Sequence, residues 1–140
     1  MTTHADVAFE FGLLTAVRLG GFEEQPKTSD PWFNTTVELF FERGTFVVRA
    51  LPEFDTVETI ATPGLPSSLP KSIPDGPWGS VIGRDLIYLW VLTNHQGYED
   101  GIQMEFRTDD GFFQIQLMVE ASAFRWYTLT DVTPVVPNRK

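Results

Sequence analysis

The chain has 140 residues, no cysteine, and nineteen acidic against ten basic residues, for a net charge of −9. That length suits one domain, 1–140, with a core that needs no covalent staples, and the missing cysteine excludes disulfides, zinc–thiolate sites and thiol nucleophiles. Residues 1–62 hold ten acids and four bases and the remainder nine acids and six bases, so both halves repel phosphate backbones and no nucleic-acid ligand is expected.

The first residues lack the basic segment and apolar run of a signal peptide. The longest uninterrupted apolar stretch, 86–92, is seven residues, far short of the ~18 needed to span a bilayer. The chain therefore reads as cytoplasmic, with no membrane association. An acidic surface serves solubility and also suits a basic protein partner. Aromatic residues make up 14% of the chain, with four tryptophans and twelve phenylalanines, the large packing residues that β-sheets favour.

In chain order, residues 3–11 read as a short helix or coil and 13–19 as a strand closed by Gly20 and Gly21. A polar loop follows, with Asp30 and Pro31 able to start at most one helical turn. Residues 36–51 form a hairpin. With Arg43 and Gly44 as its loop, Phe41 faces Phe46, Leu39 faces Val48 and Val37 faces Ala50, while Glu38 pairs with Arg49 on the other side. A shorter strand covers 55–61. Five of the ten prolines then fall within 62–79, a composition that predicts a long loop without regular structure. Loops of that length are usually functional or mobile. Trp78, near its end, either docks into the core or forms part of a ligand lid.

Residues 86–92 are apolar on both faces, which predicts a central strand or one lying against a second layer. Residues 101–121 form a second hairpin. A two-residue loop at Asp110 and Gly111 sets Phe106 against Ile115, Met104 against Leu117 and Ile102 against Val119. A four-residue loop, 108–111, gives the same face assignment. The outer face, with Gln103, Glu105, Arg107, Gln114, Gln116 and Glu120, is expected to be solvated. The last strand is 124–132, with Ser122 and Ala123 as turn and Val119 against Trp126; the tail beyond it is expected to fray. The fold class is mainly β: an antiparallel roll, sandwich or partly open barrel of seven or eight strands with at most one or two short helices. An unpaired edge strand, 55–61 or 124–132, offers a homodimer contact.

The densest polar cluster is the segment 94–100 between two strands. Asn94, His95, Gln96, Tyr98 and Asp100, with Trp78 as a wall, are the candidate ligand-binding residues. His95 and Asp100 could act as a general acid–base pair, yet Asn, Gly and Asp are also what a turn requires. No serine sits in a nucleophile elbow, no glycine pattern cradles phosphate, and no spacing marks a metal site, so neither cofactor nor metal is called for. The stretch Trp90-Val91-Leu92-Thr93-Asn94-His95-Gln96-Gly97-Tyr98-Glu99-Asp100-Gly101 resembles the central motif of a small family of uncharacterised bacterial proteins, over residues 86–121. That resemblance implies a bacterial source and no particular activity. The sequence thus points to a non-enzymatic binding or protein-interaction module, in one version an antitoxin-like or immunity-like inhibitor of a basic partner. The alternative is a small hydrolase or isomerase using His95 and Asp100.

Overall fold

Alternating apolar and polar residues, broken by short turns, fold into strands paired in sequence order. The structure, a computed structural model, describes residues 10–21, 34–51, 56–74, 76–109, 111–120 and 123–130. Most of the expected helix or coil over 3–11 (all but residues 10 and 11), the turn at Asp30 and Pro31, and the tail lie outside the described residues. Eight strands appear among those described: β1 (Leu14–Gly21), β2 (Asn34–Phe41), β3 (Gly44–Leu51), β4 (Thr56–Pro63), β5 (Leu86–Thr93), β6 (Glu99–Arg107), β7 (Phe112–Glu120) and β8 (Ala123–Thr130). They form two antiparallel four-stranded sheets, ordered β1-β2-β3-β4 and β5-β6-β7-β8. No helix among the described residues is long and apolar enough to cross a membrane.

The inner faces of the two sheets share one apolar cluster, a two-layer arrangement and not a closed barrel. Val17, Leu39, Phe41, Phe46 and Val48 come from the first sheet; Ile102, Met104, Phe106, Ile115, Leu117 and Phe124 come from the second. Between β4 and β5 the chain crosses from one sheet to the other. Its last stretch is pinned to the start of β1: Leu14 N–H donates to Arg84 O (2.8 Å) and Gly83 N–H to Leu14 O (2.7 Å). Leu13 and Asp85 form an antiparallel bridge.

Both hairpins place the expected residues on the core side; the register of the first differs from expectation by two residues, and the second takes the longer of its two expected loops. In β2–β3, Phe41 pairs with Gly44, Leu39 with Phe46 and Val37 with Val48, so Glu42 and Arg43 form the loop. A two-residue slip keeps every side chain on its face, which is why the alternation could not distinguish the registers. The ion pairs do change. Glu38 lies opposite Val47 and takes Arg18 of β1 as its partner; Arg49 takes Glu58 of β4. In β6–β7 the four-residue loop is the one formed, with Arg107 opposite Phe112 and Met104 opposite Ile115. In β7–β8, Val119 meets Phe124 and Trp126 meets Leu117.

Two further expectations are corrected. The proline-rich segment is not wholly irregular: β4 runs to Pro63 and a 3-10 turn occupies Pro77–Ser80. Proline suits both places, at the end of an edge strand and at the first position of a helical turn. The second concerns β5, read as a central strand or one lying against a second layer: the central alternative fails, for among the described strands β5 stands at an edge of its sheet. Its short loop to β6 makes β6 its neighbour, and β6 is joined by another short loop to β7. The strand that precedes it among those described, β4, belongs to the opposite sheet. Tyr88 is therefore 55% exposed, Trp90 41% and Val91 46%.

Candidate functional site

The polar segment between β5 and β6 is organised by Asn94. Its Oδ1 accepts the backbone N–H groups of Gln96 (2.8 Å) and Tyr98 (3.1 Å), and its Nδ2 donates to Asp100 Oδ2 (3.2 Å). Two backbone bonds, Asn94 N–H to Tyr98 O and Gly97 N–H to Asn94 O (both 2.9 Å), close the turn. Gly97 has φ +90°, a conformation that glycine adopts without steric cost. Asn94 and Asp100 thus hold the loop in shape, as Asx turns do. His95, Gln96 and Tyr98 are exposed. The loop brings His95 and Asp100 close in sequence, but the hydrogen bond recorded for Asp100 goes to Asn94.

Trp78 lies elsewhere. Its ring is fully buried in the shared core, edge-on to Trp126 with centroids 5.6 Å apart. Of the two roles open to it, the structure shows docking into the core. Among the described residues its Nε1 has no hydrogen-bond partner. Among the described residues, no group of three or more His, Cys, Asp or Glu side chains is placed to hold a metal ion.

Two surfaces not singled out in the sequence emerge from strand pairing. The first is the outer face of the β5–β8 sheet. Four side chains expected to be solvated, Gln103, Glu105, Gln114 and Gln116, are half-buried and bonded across β6 and β7. Gln114 Nε2 donates to Glu105 Oε1 (2.7 Å), and Gln116 Nε2 donates to Gln103 Oε1 (2.8 Å). On the β5 side, Tyr88 lies opposite Glu105 and Trp90 opposite Gln103; the two rings are stacked, with centroids 5.6 Å apart and planes at 26°. On the β8 side, Leu129 lies opposite Gln114 and Tyr127 opposite Gln116, both about half exposed. A shallow hollow of about 120 Å³ lies between Gln103, Gln114, Gln116 and Tyr127, Thr128, Leu129. The face is a polar amide floor between two apolar rims.

The second surface is a cleft of about 390 Å³ on the outer face of the β1–β4 sheet, between Arg18, Glu38, Phe40 and Thr45 and the chain from Thr62 to Ser68. Arg18 Nε donates to Glu38 Oε1 at 2.7 Å, and its guanidinium lies 5.1 Å from the Phe40 ring centre. The hydrogen bond to Glu38 pushes the Arg18 pKa up further, against partial desolvation. The pair leaves the cleft without strong charge.

Fold and surface together define a small two-sheet antiparallel β protein with a preorganised amide-and-aromatic outer face. More particularly, the chain belongs to the family described as Family of unknown function (DUF6334), whose model matches residues 1–133. No curated protein and no solved structure matches it.

Proposed function

We propose that the protein is a non-enzymatic binding or protein-interaction module whose recognition surface is the outer face of the β5–β8 sheet. The observation that carries this reading is the exposure of Tyr88, Trp90, Tyr127 and Leu129 on either side of the bonded Gln103–Gln116 and Glu105–Gln114 pairs. Tyrosine and tryptophan are the side chains that most often anchor protein interfaces, because each buries a large rigid surface and keeps a polar tip. The amide–amide and amide–carboxylate pairs are already held by each other, so ordering them on binding costs little entropy. A net charge of −9 favours a basic protein as partner and speeds its approach.

The test compares wild-type protein with a Trp90→Ala/Tyr127→Ala double variant as immobilised bait for proteins from the source cell. A basic protein retained by the wild type should bind the variant about tenfold more weakly or worse, as expected for loss of aromatic anchors. Its affinity should also fall as salt rises from about 0.05 M to about 0.5 M. Equal retention by both baits, or an affinity indifferent to salt, argues against this surface and this partner.

A further inference from the structure

β5 has the residue pattern of a strand covered on both faces, and among the described strands it has a single neighbour, β6. Its eight residues carry no charge and no proline, and Tyr88, Trp90 and Val91 stand exposed along it. Natural edges are usually blunted by charged side chains, proline or bulges, because bare backbone N–H and C=O groups template pairing with another chain. The other three edges follow that rule. Arg18 lies on β1, Glu58 and Pro63 on β4, and Arg125 on β8. β5 alone lacks a charge or proline, although its pairing with β6 is irregular between Leu86 and Tyr88 and again between Leu92 and Thr93.

We propose that β5 pairs antiparallel with β5 of a second copy, joining two four-stranded sheets into one eight-stranded sheet. A second copy is the occupant because the edge is self-complementary. Pairing β5 with β1, β4 or β8 of another copy would set a charged strand against an uncharged one and leave further edges to propagate. Pairing β5 with itself about a two-fold axis matches neutral with neutral and closes the assembly. The regular stretch from Tyr88 to Leu92 would gain about five inter-strand hydrogen bonds. The pairing would also set the two Tyr88–Trp90 stacks side by side on a continuous outer face. This goes beyond the recognition reading, and its test does not require the partner to be known.

Sedimentation equilibrium of the full chain, from about 1 µM to about 200 µM, reads the assembly in the range where small interfaces dissociate. The expected mass at the upper end is about twice 15.8 kDa. A Trp90→Lys/Val91→Lys double variant, which places a cation on an exposed position of each face, should raise the dimer dissociation constant about tenfold or more. Thr128→Lys on β8 should leave it unchanged. A monomer throughout that range, or a dimer indifferent to the β5 substitutions, overturns the proposal. Should the double variant fail to fold, amide hydrogen exchange on the wild type decides: β5 amides should be more protected at the high concentration than at the low one, and equal protection overturns the pairing.

Discussion

Asn94 and Asp100 are joined across the β5–β6 turn, Nδ2 to Oδ2 at 3.2 Å, while the Asn94 carbonyl oxygen receives two backbone amides of the same turn. One side chain therefore satisfies three groups that a short polar loop would otherwise leave to water. Asn94→Ala should cost about 1–2 kcal/mol of stability in urea unfolding, the scale of a few partly exposed hydrogen bonds. His95→Ala should change it by less than about 0.5 kcal/mol, as for an ordinary exposed residue. A comparable loss for both would mean that His95 shares the structural role.

Arg84 Nη1 donates to Asp109 Oδ1 at 2.8 Å, and this hydrogen bond, followed by the positive charge itself, holds the Asp109 carboxyl below its ordinary pKa. A carboxyl whose folded pKa is lowered contributes stability above its unfolded pKa and loses it as pH falls through the folded value. Carboxyl NMR titration should give Asp109 a value under 3.8, its ordinary pKa. Arg84→Gln should move it upward. The pair lies in solvent, so the shift should shrink as salt is raised.

Gly44 begins β3 beneath the ring of Phe11. A Cβ at this position would lie 2.5 Å from the Phe11 ring atoms, and that ring is itself buried against Phe41. Gly44→Ala should therefore cost about 1–3 kcal/mol by overpacking. Combined with Phe11→Ala, the loss should be smaller than the sum of the two single losses, because the clash is then gone. Thermal or urea unfolding of the four proteins closes the cycle.

Trp78 fills the core beside Trp126, and its indole N–H finds no acceptor among the described residues. Trp78→Ala should cost about 3–5 kcal/mol, the usual scale for an emptied aromatic site. Trp78→Phe should cost less than half of that, since it keeps much of the apolar volume and removes a buried donor without a protein partner. If phenylalanine proves as damaging as alanine, the N–H is satisfied in solution.

The sequence by itself determined the class of fold and the face of nearly every core strand, because the two-residue period of a strand is written directly in Val37, Leu39 and Phe41 or Ile102, Met104 and Phe106. It did not determine register. A slip of two residues preserves every face, so only the tertiary structure decided that Glu38 meets Arg18 and Arg49 meets Glu58. Turn chemistry was legible at 94–100, where Asn, Gly and Asp stand at the places that need them, and illegible before β8, where Ser122 and Ala123 were the expected turn and Ala123 instead pairs with Glu120. The outer face was legible only in part: the polar residues of β6 and β7 were set on one face, but the rims from Tyr88 to Leu129 lie on β5 and β8 and join them only through pairing. β5 shows the limit most plainly. Its apolar pattern on both faces predicts a central strand or one lying against a second layer, but pattern reports burial and not order in the sheet. Short loops bind β5 to β6 and β6 to β7, the preceding strand lies in the other sheet, and the strand with the most central sequence is left at an edge.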